Sequence, residues 1–149
     1  MTQTYFGSGI RSGSDTLTDT VDGGYCVLMQ TVTVTSNSTG AITSGSITVP
    51  ENSQIIDITA SKIVNWDVGS GTANALNIRV GSSSNGAQYM PTTNVATTNV
   101  TTGSLTVANL LARSNVANNI VIYCSVDPDG NVANTQAQIL FNVLYAQKT

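Results

Sequence analysis

The run Ile120-Val-Ile-Tyr-Cys-Ser-Val126, then Asp127-Pro-Asp-Gly130, then Ala137-Gln-Ile-Leu-Phe-Asn-Val-Leu-Tyr145 decides how this chain is read. Ile120, Ile122, Cys124 and Val126 fall at every second position, and so do Ala137, Ile139, Phe141, Val143 and Tyr145. Successive side chains of a strand point to opposite faces, so this alternation marks two strands with one buried side each. Asp127 opens a turn between them, Pro128 presets φ at its first central position, and Gly130 accepts positive φ at its end. The spacing predicts a β-hairpin closed by a type I turn and a Gly bulge. Leu140 and Leu144 occupy the other face of the second arm, which predicts that this face is covered as well. The stretch from Asn118 to Ala146 is therefore expected at the middle of a β-sandwich.

Upstream segments repeat the pattern. Tyr25 to Thr35 predicts a long strand with Cys26, Leu28, Val32 and Val34 on one face and Thr31, Thr33 and Thr35 on the other. Asn37-Ser-Thr-Gly40 predicts a turn, and Ala41 to Val49 a short strand ending at Pro50. Ile55 to Trp66 predicts a strand with Ile56, Ile58, Ala60, Val64 and Trp66 inward. Lys62 shares that parity, so a bulge or strand end is expected near Ser61. Ala75 to Val80 predicts a strand, Gln88 to Met90 a short one, and Pro91 to Gly103 a Thr/Asn-rich connection. Ser104 to Arg113 reads as a capped helix or as a strand and turn. Seven or eight strands at this spacing predict an all-β fold: a single-domain β-sandwich, jelly-roll-like, over residues 25–149. Residues 1–24 read as an N-terminal arm, either solvated or anchored on a neighbouring protein by the adjacent pair Tyr5-Phe6.

Composition narrows the function. Charged residues make up 9% of the 149 residues, against about 25% in an ordinary domain. A surface of Asn, Ser, Thr and Gly is poorly protected against association, which predicts an oligomer or docked subunit. The five basic residues, Arg11, Lys62, Arg79, Arg113 and Lys148, are scattered and the net charge is −3, so no nucleic-acid partner is expected. No apolar run is long enough to span a bilayer as a helix, and no membrane partner is expected. The N-terminal residues lack a basic segment followed by an apolar core, so they do not read as a secretory signal. Without one, the sequons at Asn37 and Asn99 read as chance matches, and Cys26 and Cys124 as two buried thiols in preference to a disulfide between facing strands.

The chain has no histidine. Ser-His-Asp and Cys-His catalysis and the usual zinc sites are thereby excluded. Of the acids only Asp57 falls in mid-strand, so a facing carboxylate pair for glycoside hydrolysis is not expected. Asp127, Asp129 and Asn131 around Gly130 resemble part of a calcium loop, but turn chemistry accounts for the same residues. Gly81-Ser-Ser-Ser-Asn-Gly86 lacks the Lys-Ser/Thr ending of a phosphate loop. No enzyme activity, cofactor or metal is expected.

The order Gly45-Ser-Ile-Thr-Val-Pro50, Gln54-Ile-Ile-Asp-Ile58, Ala75-Leu-Asn-Ile-Arg-Val-Gly81 and Ile139-Leu-Phe-Asn-Val-Leu-Tyr145 resembles the small head-decoration, or cement, proteins of tailed bacteriophages. The resemblance covers roughly Gly45 to Tyr145. It implies a sandwich fold, self-association with a trimer favoured over a dimer, and synthesis in the host cytoplasm. It further implies attachment to the outer capsid surface of the virion, bridging neighbouring major capsid protein subunits. Tyr5, Phe6, Ile10 and Arg11 are then the expected shell or neighbour contacts, and Leu140 and Leu144 the expected subunit interface. The competing reading is a glycan- or receptor-binding module of a phage fibre or adhesin. Aromatic residues are only 5%, with Trp66 and Tyr89 as the candidates near loops.

Overall fold

A computed structural model describes residues 11–12, 15–16, 25–51, 53–67, 75–97, 100–102, 118–129 and 135–148. The strands are β1 (Arg11–Ser12), β2 (Asp15–Thr16), β3 (Tyr25–Thr35), β4 (Thr43–Val49), β5 (Ser53–Val64), β6 (Asn77–Gly81), β7 (Met90–Asn94), β8 (Val100–Thr102), β9 (Ile120–Asp127) and β10 (Gln138–Lys148). The first two form a small ladder of their own, Arg11 opposite Thr16. The other eight make two four-stranded antiparallel sheets, ordered β3-β10-β5-β8 and β4-β9-β6-β7. Among these eight strands every connection except β6 to β7 crosses from one sheet to the other. This is the jelly-roll arrangement, and the all-β sandwich expected from the alternation is the fold.

The stretch from Asn118 to Ala146 departs from the expected hairpin. Its two arms are strands, but β9 and β10 lie in different sheets and do not form a hairpin. Each is an inner strand of its own sheet. β10 runs between β3 and β5, from Gln138 opposite Thr35 and Val64 to Gln147 opposite Cys26 and Ser53. The two apolar stripes therefore face each other across the core instead of lying side by side. Alternation specifies which side of a strand is buried, and that side is buried in either arrangement. The chain from Pro128 to Ala137 is long enough to change sheets, and each arm is flanked by two strands of its own sheet.

The core follows from those stripes. Phe141, Ile139, Val143 and Tyr145 of β10 are buried with Ile122, Cys124 and Val126 of β9, Ile55, Ile58 and Ala60 of β5, and Ile78 and Val80 of β6. Each large apolar side chain so enclosed contributes roughly 1.5–3 kcal/mol relative to exposure. Tyr145 remains buried because its hydroxyl accepts a hydrogen bond from the Gln30 amide at 2.8 Å. The same amide donates to the carbonyl of Thr48 at 3.1 Å. Gln30 thus ties β3 and β10 of one sheet to β4 of the other.

Strand β5 departs from simple alternation twice. Its pairing with β10 shifts between Leu144 and Tyr145 and again between Gln138 and Ile139. The first shift turns Ile55 inward and leaves Ile56 exposed, the reverse of the expected parity. The second skips Ile63, two residues beyond Ser61 where a bulge was expected, and keeps Lys62 on the inner side. Lys62 Nζ donates to the carbonyls of Val95 and Ala96 at 3.0 and 2.9 Å. Loss of hydration there lowers its pKa from the ordinary lysine value.

Two further differences concern the middle of the chain. The segment Pro91 to Gly103, read as a connection, contains most of β7 and all of β8. Both are edge strands, where Thr, Asn and Pro are tolerated because only one side of the backbone is paired. The turn after β3 is as expected: Asn37 Oδ1 accepts the Thr39 N–H at 2.7 Å, and Gly40 takes φ 83°. The helix or strand read over Ser104 to Arg113 lies outside the described residues.

Candidate functional site

The outer face of the β3-β10-β5-β8 sheet is the surface on which the expected interface residues fall. In this sheet even-numbered residues of β3 point inward and odd-numbered ones outward. The register puts Thr31 beside Asn142 and Asn142 beside Thr59, with Asn142 Nδ2 donating to Thr59 Oγ1 at 3.1 Å. With Thr33 and Thr35 these make a polar half. At the other end of the same face Val27 is paired with Ala146, and Met29 with Leu144. Val27 and Met29 are each 61% exposed. The outer face is thus divided, polar at the end where β10 begins and apolar where it finishes.

Leu140 and Leu144 both lie on this face and both are half-buried. They are not equivalent. Leu140 sits between Thr33 and Ser61 in the polar half, whereas Leu144 lies between Met29 and Asp57 within the apolar half. Val27, Met29 and Ala146 were missed in the sequence. The signal was present, since Val27 and Met29 share parity with Thr31, Thr33 and Thr35 and so belong to the same outward row. Of the four residues expected to meet the shell, Tyr5, Phe6 and Ile10 lie outside the described residues. Arg11 pairs through its backbone with Thr16.

Among the described residues Asp127, Arg79 and Asp57 are engaged within the fold. Asp127 Oδ2 accepts from the Arg79 guanidinium, and Oδ1 accepts the Asp129 N–H at 2.9 Å. The Arg79 and Asp127 side chains are only 13% and 16% exposed. One carboxylate therefore fixes the start of the crossing from β9 to β10 and anchors it to β6. Both of its oxygens are engaged without an ion. Asn131 and Gly130, the other parts of the calcium-loop reading, lie outside the described residues. Asp57 Oδ1 accepts the neighbouring Ile58 N–H at 2.8 Å. Among the described residues no three His, Cys, Asp or Glu side chains cluster as a metal site would require.

The Gly81–Gly86 loop folds back onto the outer face of the second sheet. Ser84 contributes its carbonyl, which accepts from Ser125 Oγ at 2.6 Å and from Ser44 Oγ at 3.0 Å. A Cβ at Gly81 would stand 2.4 Å from the Gly86 backbone, so the loop closes only with glycine there. Backbone carbonyls and serine hydroxyls here serve the loop's own closure. Trp66 and Tyr89, the aromatic candidates for a glycan platform, both pack against the core. Cys26 and Cys124 carry free thiols in opposite sheets. Cys124 is fully enclosed, and burial pushes its pKa up to about 12. Cys26 is half-buried.

No protein-family model and no curated protein sequence matches the chain. In shape it is similar to a chain of the capsid asymmetric unit of cyanophage Pam1, with TM-score 0.55 and 18% identity over 92% of this chain and 96% of that one. It is also similar to a chain of the capsid of Ralstonia phage GP4, with TM-score 0.54 and 14% identity over 87% of this chain and 89% of that one. At such identities the shared property is the fold, and it extends over nearly the whole of each molecule.

Proposed function

We propose that this protein is a structural component of a bacteriophage particle, a decoration or cement protein that binds the outside of the capsid and bridges neighbouring major capsid protein subunits. The observation that carries this reading is the jelly-roll likeness to chains of two phage capsids, spanning most of both molecules. A second observation agrees with it. Arg79, Asp127, Lys62, Ser44 and Ser125 are engaged within the fold, which suits a role that rests on contact area. A ligand that binds only the assembled shell stabilises it by linkage, and many weak copies acting together suffice.

In this reading residues 1–24 form the arm that reaches the shell, with Tyr5, Phe6, Ile10 and Arg11 as contacts. Leu144 and the apolar half around it lie between subunits, with Leu140 at the margin. The low charge of the surface permits identical copies to pack closely without like-charge repulsion. The test is reconstitution. Purified protein is mixed with capsids lacking it, and shell occupancy and the temperature of shell disruption are measured. Saturable binding with a raised disruption temperature is expected, and deletion of Met1 to Asp22 should lower occupancy while leaving the fold's circular dichroism unchanged. No binding to capsids, or binding to a glycan that is abolished by changing Trp66 or Tyr89, overturns the assignment.

A further inference from the structure

We propose that the free edge of β3 is a self-association site, at which a second copy of this chain adds its own β3 antiparallel about a two-fold axis. The inference is independent of shell binding and concerns the isolated protein. Among the described residues the sandwich has four edges, which belong to β3, β8, β4 and β7. An edge strand exposes a row of unpaired N–H and C=O groups and invites another strand unless something blunts it. Three of these edges are blunted. β8 is only three residues long, β7 carries Pro91, and on β4 the Thr48 carbonyl already accepts from Gln30. β3 differs: it runs for eleven residues, pairs with β10 without a register shift, and contains no proline and no Asp, Glu, Lys or Arg.

The hydrogen-bond parity identifies the groups on offer. Ser36 N–H donates to the carbonyl of Ala137, its register partner just beyond the strand. In an antiparallel pair the bonded positions alternate, so even-numbered residues of β3 bond β10. The N–H and C=O of Val27, Met29, Thr31, Thr33 and Thr35 therefore face the free edge. These residues also carry the outward side chains. Pairing odd residues with odd residues of a second copy keeps both sets of side chains on one face. The two four-stranded sheets become one continuous sheet of eight, and the exposed Val27 and Met29 gain neighbours across the axis. The occupant is a second copy because the edge is its own complement: with no ionisable charge along it, identical strands meet in any even register without repulsion. A two-fold contact gives an even-numbered assembly, not the trimer implied by the family resemblance.

The test uses the full chain in sedimentation velocity from about 1 to about 100 μM, a range that brackets weak to moderate association. Thr33→Pro removes one outward N–H and leaves the β10 ladder intact, and Thr31→Lys places a charge on the edge. A concentration-dependent dimer is expected, weakened at least about tenfold by each variant. Should Thr33→Pro fail to fold, Thr31→Lys decides alone. Amide hydrogen exchange adds a second readout: the odd-numbered amides of β3 should slow as concentration rises. A monomer throughout, a trimer, a dimer that neither folded variant weakens, or odd amides that exchange equally fast in the dimer would each overturn the proposal.

Discussion

Asp127→Ala is the substitution that most directly probes how the crossing between sheets is held. Asp127 is the last residue of β9, and Arg79 on the neighbouring β6 lies diagonal to it, since Arg79 is opposite Ser125. Breaking a fully buried ion pair from one side costs about 3–5 kcal/mol, whereas exposed pairs are worth about 1 kcal/mol or less. At 13% and 16% exposure this pair lies nearer the first limit. Alanine also removes the acceptor of the Asp129 N–H, a turn-capping bond worth about 1 kcal/mol. Among the described residues the Arg79 Nε is buried without a partner, so the loss of Asp127 adds to a donor deficit already present. The expected loss is about 3 kcal/mol, or roughly 6–12 °C in melting temperature for a chain of this size. Asp127→Asn keeps the turn acceptor and removes the charge, and should cost about 1–2 kcal/mol. Urea denaturation of both, with Arg79→Met and the double variant, closes a thermodynamic cycle. A loss below about 0.5 kcal/mol for Asp127→Ala, or a coupling to Arg79 indistinguishable from zero, would refute the reasoning.

Two further outcomes are expected. Phe141→Ala empties the centre of the core and should cost about 3–5 kcal/mol in denaturant midpoint analysis; a loss below about 1 kcal/mol would show that the two sheets do not close on this ring. Burial raises the Cys124 pKa above its unfolded value, so the stability that comes from keeping the thiol neutral is complete below pH 9.0 and is lost as pH rises toward about 12. Cys124→Val should flatten that alkaline decline, and in the native protein a thiol reagent should modify Cys26 well before Cys124.

Much of this fold is written in local alternation, and its limits are equally physical. The stripes Ile122, Cys124, Val126 and Ile139, Phe141, Val143, Tyr145 identify two strands and their buried sides. They do not identify partners, because a hairpin and a crossing between sheets bury the same atoms. The turn residues Asp127 and Pro128 suit both. At Ile55-Ile56 two equally apolar neighbours compete for one inward position, and only the register with β10 decides between them. Most of β7 and all of β8 went unread because edge strands of Thr, Asn and Pro look like loops. For the outer face, Leu144 was legible from its own strand. Its neighbours Val27 and Met29 come from a strand more than a hundred residues away, and only the strand order brings them together.

The strand order also sets when the molecule can fold. β10 sits between β3 and β5, yet it is the last of the three to be synthesised. Until the ribosome has released residues 138–148, neither of the other two has its principal partner, and the Phe141 side of the core has no lid. Nearly all the pairing is between distant segments, a topology that folds slowly and leaves sticky intermediates exposed. A nascent chain that stops before residue 138 should be a client for chaperones and proteases, even though it would retain every other strand of the sandwich.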